Sequence, residues 1–227
     1  MTVLTETRTS APDLQATEFF DVDHPAIAKF ADKVLATCGD DPKDKAVALF
    51  YAVRDGLFYE IYNADFARDA MTASAILKRR SGLCIHKSIV YATLLRYVGI
   101  PSRLWVTDVK NHLCSPKLEQ LMGTKVFHYH VLVSLELDGR WVKATPVFNA
   151  RLCQLYGMMP LEFDGETDCV HHAYDLDGNA HMEIMRDHGE FCDLPYDVIL
   201  SGLQEKHAPL FKTETRFKSG SLVADMA

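Results

Sequence analysis

Residues 81–105 read SGLCIHKSIVYATLLRYVGIPSRLW, and the fold is decided there. Ser81-Gly82 opens the stretch and Gly99 with Pro101 closes it, which brackets a helix predicted over 84–98. Ile85, Ile89, Ala92 and Leu95 recur at helical spacing on one face. Val90, Thr93 and Leu94 add apolar surface elsewhere, and a helix apolar nearly all round is a central one. Beyond Pro101 the period changes from helical to alternating. Residues 103–108 read as a strand and 109–124 as a polar loop. VFHYHVLVSLEL, 126–137, alternates and puts Val131, Val133, Leu135 and Leu137 on one face, with His130 on the other. Asp138-Gly139 is a two-residue hairpin signal, so 140–147 returns as the partner strand.

The flanks fit the same plan. Asp41 before Pro42 is an N-cap followed by proline at the first helical position, and Ala46, Leu49, Phe50, Val53 and Leu57 follow at helical spacing. A shorter helix is expected over 72–80, and YDLDGNAHMEIMR, 174–186, suggests a hairpin around Asp177-Gly178-Asn179. Helices first and paired antiparallel strands second predict an α+β fold. At 227 residues the chain suits one domain. We expect a loose arm over 1–15 and a single domain over 16–227. Its core would span about 45–150, with substrate-side elaborations over 109–124 and 150–227.

Composition excludes several functions. Hydrophobic residues make up 48% and charged residues 24%, a globular balance. The net charge of −7 has the wrong sign for a partner that tracks phosphates, so no nucleic acid is expected. No apolar run approaches membrane-spanning length, and no membrane partner is expected. The start, MTVLTETRTSAPDL, has neither a cationic opening nor an apolar stretch, which predicts a cytoplasmic protein. The six cysteines, Cys38, Cys84, Cys114, Cys153, Cys169 and Cys192, contain no C-x-x-C and read as free thiols. Five read as small buried apolar residues.

Cys84 differs by position. A helix N-terminus carries partial positive charge and unpaired N–H groups, which favour a thiolate. The same amides can hold an oxyanion once sulfur attacks a carbonyl. A nucleophilic cysteine also needs a base, and His130 at the start of the alternating strand is the candidate. With Asp138-Gly139 as the loop, Leu137 pairs with Arg140, Leu132 with Thr145 and His130 with Val147. Thr145 is then diagonal to His130, within side-chain reach and able to orient the imidazole.

Both blocks resemble the transglutaminase-like superfamily. The first is the Gly-x-Cys helix start at Gly82 and Cys84, a Leu-Leu-Arg near the helix end, then Gly-Ile-Pro-x-Arg at 99–103. The second, HVLVSLELDGRWVKATP over 130–146, places His130, Gly139, Trp141 and Pro146 at the family's spacing. RDGLFYEIY, 54–62, is similar to the family's segment before the nucleophile. The resemblance covers about 45–150. It implies a papain-like core, with a central helix carrying the cysteine packed on an antiparallel sheet carrying the histidine. It implies Cys84 as nucleophile, His130 as general base and acid, and a third member at Thr145. The family's aspartate is Thr145 here, a hydroxyl without negative charge, and the family's aromatic two residues after the histidine is Leu132. Asn149, Asp164 and Asp168 are the downstream substitutes.

The function expected is acyl transfer through a thioester intermediate on Cys84, from an amide or thioester to water or an amine. The substrate would be a small molecule or a peptide. No cofactor or metal is expected. One alternative is a decayed family member kept as a binding module. A remoter one is a cupin-like metal site built from His128, His130 and Glu136. His171, His172, His181 and His188 read as a polar loop beside Asp164, Asp168, Asp175 and Asp177, and 175–179 as a turn rather than a calcium loop. Arg96 and Arg103 read as ion pairs bracketing the Gly-Ile-Pro turn rather than as a site for an acidic substrate.

Overall fold

The computed structural model describes residues 11–62, 64–112, 116–170, 182–211 and 221–222. Helices α1 (Pro25–Leu35) and α2 (Pro42–Gly56) come first, followed by a short strand, β1 (Phe58–Tyr59). Helix α3 (Ala73–Arg79), strand β2 (Ser81–Gly82) and helix α4 (Cys84–Tyr97) come next. Then come β3 (Ser102–Asn111), α5 (Pro116–Met122), β4 (Val126–Leu137), β5 (Arg140–Ala144), α6 (Ala150–Leu155), β6 (Met182–Phe191) and α7 (Tyr196–Lys206). The larger sheet has the order β5-β4-β3-β6, antiparallel throughout. This is the expected α+β arrangement.

Helix α4 lies on this sheet and is buried from Ile85 to Arg96. Its Ile89, Val90, Ala92, Leu94 and Leu95 share one core with Leu104, Val106, Val131, Val133 and Leu135 of the sheet. The helix therefore covers the valine and leucine face of β4. The opposite face is more polar: Lys143 sits 3.6 Å over the Trp105 ring, and Ser134 donates to Glu190 at 2.8 Å.

Asp41 caps α2 as the sequence placed it and accepts the Lys43 amide at 2.8 Å; Thr72, read as the first residue of its helix, is the cap of α3 and accepts the amide of Ala75 at 3.3 Å. Asp138 and Gly139 turn with φ of 51° and 73°, the mirror-image turn that suits a twisted hairpin. Three expectations are corrected. Residues 109–124 are not simply a loop, because β3 runs on to Asn111 and α5 follows. The return strand stops at Ala144 rather than 147, ahead of Pro146, which has no N–H to give a ladder. The far end of the arm is held, since Asp13 is only 1% exposed and its two oxygens accept Arg103 Nε and an Arg103 terminal nitrogen at 2.7 and 2.8 Å. The hairpin tip at 174–181 lies outside the described residues, whereas β6 is present and pairs with β3.

Two arginines close the end of α4 remote from Cys84. Arg96 donates to the carbonyls of Gln15, Ser102 and Cys192 at 2.6, 2.7 and 2.6 Å, and its plane lies 4.4 Å over Phe20. Arg103 stacks 4.1 Å over Trp141 while it binds Asp13. Arg103 makes the ion pair the sequence suggested, whereas the expectation is corrected for Arg96, which clamps backbone carbonyls instead of a carboxylate.

The start of α4 is built as carefully. β1 and β2 pair in parallel, Phe58 with Ser81 and Tyr59 with Gly82, which draws segment 54–62 alongside it. His86, fully buried, accepts the Leu83 amide on Nδ1 at 3.1 Å, so Nε2 carries the proton and donates to the Asp65 carbonyl at 2.9 Å. A Cβ at residue 82 would fall 2.6 Å from His86 Cβ, so only glycine fits. Burial pushes the His86 imidazole down from 6.5 to about 4. A folded pKa below the unfolded one means the unfolded chain binds the extra proton. Stability is thus full above pH 6.5 and falls as pH drops toward 4, by about 3 kcal/mol in all for this one group. Urea midpoints measured from pH 7.5 to 4.5 should decline accordingly, and His86→Gln should flatten that part of the slope.

Candidate active site

Cys84 is the first residue of α4. One turn later Ser88 donates to the Val131 carbonyl at 2.8 Å, which fixes this end of the helix against β4 directly after His130. The backbone of Val131, Ile85 and Cys84 itself favours the charged sulfur and works to lower the Cys84 pKa. Cys84 and His130 line one cavity, together with Leu83 and Tyr59 on the helix side and Phe127 and His128 on the strand side. Its volume is about 30 Å³, which holds one or two waters and no acyl group. Met122 of α5, Leu203 of α7 and Leu210 beyond it form the outer wall.

Burial dominates the thiol. It pushes Cys84 up to about 11, against the pull of those backbone groups. The expectation that the helix start would favour a thiolate is therefore corrected, because the burial of the sulfur outweighs the pull of the backbone. Cys153 and Cys169 are pushed up to about 11 as well, again by burial. Cys84 is distinguished by what surrounds it rather than by acidity. The described cysteines are all free; Cys114 lies outside the described residues.

Thr145 is buried, and its hydroxyl donates to the Val170 carbonyl at 2.7 Å; it does not line the cavity. None of the proposed substitutes reaches His130. Asn149 donates to the Arg54 and Leu57 carbonyls and accepts the Tyr59 amide at 2.7 Å. Asp164 accepts the amides of Glu166 and Thr167 at 2.8 Å each, and Asp168 accepts that of Lys143 at 2.9 Å. Asn149 joins Lys87, whose Nζ donates to the same two carbonyls at 2.7 Å each. Lys87 thus caps the end of α2 from inside, and burial holds its ammonium pKa well below the usual range.

Sequence reading missed a polar cluster beside the cavity. Asp108 of β3 binds His188 at 2.8 Å, His128 at 3.2 Å and the Tyr129 amide at 3.0 Å. Burial works to raise the Asp108 pKa, but the Tyr129 amide and the two imidazoles outweigh it and hold the carboxyl below its usual range. His207 belongs to the cluster too: it accepts the His128 amide at 3.0 Å and donates to the Met122 carbonyl at 2.9 Å. The Asp108 position lies in a strand whose apolar pattern masks it, so only the three-dimensional pairing of β3, β4 and β6 exposes it. Among the described residues no group of three or more His, Cys, Asp and Glu is placed to hold a metal. Of the four clustered histidines read as a loop, only His188 is among the described residues. No helix is long and apolar enough to cross a membrane.

Comparison with known proteins agrees with the geometry. The sequence pattern of the transglutaminase-like superfamily matches residues 28–146, more than half of the chain, and includes both the Cys84 helix and the His130 hairpin. The solved structure of a "putative cysteine protease" from Cytophaga hutchinsonii superposes with a TM-score of 0.50 at 16% identity, over 85% of this chain and 50% of that one. This chain thus spans about half the length of that protein. A "putative protease" from Parabacteroides distasonis gives a TM-score of 0.34 at 15% identity, over 56% of this chain and 25% of that one. No curated protein matches. With its central helix on an antiparallel sheet and the family pattern across 28–146, the chain belongs to the transglutaminase-like superfamily.

Proposed function

We propose that this protein is a cysteine-nucleophile acyl-transfer enzyme, with Cys84 as nucleophile and His130 as general base and acid. The observation that carries this is the shared cavity: a cysteine at the first residue of a buried helix and a histidine of the neighbouring strand line the same small space. His130 takes the thiol proton as sulfur bonds to the carbonyl carbon. The carbonyl π electrons move to oxygen, and the helix-start amides receive the oxyanion. The oxyanion collapses, the bond to the leaving group breaks, and His130 returns the proton to that group. Water, or an amine, then attacks the thioester and restores the thiol.

The cavity is too small for an acyl group, so its walls would have to part as substrate binds. Tyr59 lines both this cavity and an adjoining cleft of about 600 Å³ bordered by Phe58, Glu60, Asn149 and Arg151. The acyl-bearing chain would lie in that cleft, with its carbonyl passing Tyr59 to reach Cys84. The protease names of the two solved relatives favour a peptide amide as substrate. Thr145 lies off the cavity with its proton committed to Val170, so in this reading the orientation of His130 falls to other groups.

Thr145 in place of a carboxylate also favours a second reading, a decayed member that binds without turnover. Incubation with p-nitrophenyl acetate and with a benzoyl thioester separates the two. The enzyme reading expects an acyl adduct on Cys84 by mass spectrometry, and turnover reduced about a hundredfold or more in both Cys84→Ala and His130→Ala. Turnover that survives either substitution sinks the mechanism, and the absence of any adduct supports the binding module. Alkylation by iodoacetamide gives a second check. In His130→Ala the raised thiol titrates alone, so the Cys84 rate should climb about tenfold per pH unit from pH 7 to 9. With His130 present the wild-type profile should be flatter and at least about tenfold higher at pH 7.

A further inference from the structure

The cluster around Asp108 has a specific relation to His130. β3 and β4 lose register here: Thr107 pairs with His130 and Val109 with Phe127, so His128 and Tyr129 together face Asp108 alone. This is a β-bulge, and its extra residue falls immediately before His130. Tyr129 has φ of 54°, the left-handed region that a residue with a large side chain enters only when its surroundings enforce it.

The enforcement is visible. Asp108, 7% exposed, accepts the Tyr129 amide at 3.0 Å and ties His188 and His128 on either side at 2.8 and 3.2 Å. The Tyr129 ring stacks on His188, with centroids 4.9 Å apart and planes 20° apart. On its other side the ring presses on α7, where a Cβ at Gly202 would fall 2.1 Å from it. The second bulge amide, that of His128, goes to His207 Nε2 at 3.0 Å. A bulge interrupts the ladder, and here side chains take up both of its amides.

We propose that Asp108 is a positioning residue for His130: its carboxylate fixes the left-handed bulge at Tyr129, and that bulge sets the His130 imidazole against Cys84. The chain has threonine where its family places the aspartate beside the histidine. Orientation is supplied instead through the backbone, from the neighbouring strand. The inference rests on the Cys84–His130 reading above. The charged and titratable groups facing Asp108 are His128 of β4, His188 of β6, and Lys206 and His207 at the end of α7, with Tyr129 between them.

The test needs no known substrate. Cys84 alkylation by iodoacetamide is followed residue by residue between pH 6.5 and 9 in the wild type, His130→Ala, Asp108→Ala and Asp108→Asn, with Cys192 as the exposed internal control. Asp108→Asn keeps an oxygen for the Tyr129 amide and should stay within about threefold of wild type. Asp108→Ala should lose tenfold or more at pH 7 and take on the steep pH profile of His130→Ala. Glycine adopts the left-handed conformation without a clamp, so Asp108→Ala/Tyr129→Gly should recover to within about threefold of wild type. That double variant also carries the test if Asp108→Ala does not fold, and a rate as low as that of His130→Ala would overturn the proposal. So would a wild-type profile in folded Asp108→Ala, or a loss in Asp108→Asn equal to that in Asp108→Ala, which would mark a charge effect. If His130→Ala itself reacts like wild type, the Cys–His reading falls and the positioning role falls with it. If His130→Ala is slow and Asp108→Ala is not, the positioning role alone is wrong.

Discussion

A helix that starts inside a protein brings a debt of unpaired amides, and α4 starts inside this one. Everything near the site answers that constraint. The Leu83 amide goes to His86, which must be buried, uncharged and carry its proton on Nε2 to serve both Leu83 and Asp65. That packing leaves no room for a side chain at 82, so glycine stands two residues before Cys84 for a steric reason. The backbone of Cys84 and Ile85, with that of Val131 from the sheet, favours the charged sulfur. In the second turn, Lys87 reaches back to the last carbonyls of α2, where Asn149 meets it. One helix start is thereby tied to two other helices and to the sheet.

The same burial sets a conflict between holding a nucleophile and activating it. Amides at a helix start favour a thiolate, but burial favours a thiol, and burial prevails here. The amides are not wasted. They are fixed in place before any charge develops, which is when preorganised donors do most for an oxyanion. A neutral resting thiol with a waiting histidine also protects the sulfur from the chemistry that an exposed thiolate attracts.

The legible parts of this fold were those governed by local rules. The α4 boundaries, the cap at Asp41 and the Asp138-Gly139 turn each follow from a few neighbouring residues. The 126–137 strand matched residue for residue because its alternation is long. What escaped is non-local. Helix α1 buries only Ile27 and Ala31, too short an apolar stripe to stand out, and α7 begins after Pro195 with no side-chain cap. Strict alternation through His128, Tyr129 and His130 hid the bulge, because a bulge is a property of two strands. That Cys84 and His130 line one cavity follows from no local rule, and the partner of Thr145 lies 25 residues further along the chain.

The division of labour between matched and unmatched sequence gives a last step. Residues 28–146 carry the helix, the strand and the bulge, which suffice to bring a sulfur and an imidazole to one cavity. The outer wall comes largely from beyond that span: Leu203 and Leu210 close the cavity, His207 binds the bulge, and Gly202 leaves space for Tyr129. Phe66 of the matched region packs against Tyr196 through its carbonyl and against Phe211 at 5.2 Å, so the two parts meet across the mouth. The helix and strand that carry Cys84 and His130 thus lie within the matched span, and much of the wall over them lies beyond it. A mouth built from α7 can change its lining without disturbing the buried helix start, because the contacts that fix that start, at Gly82, His86, Lys87 and Val131, all lie within the matched span.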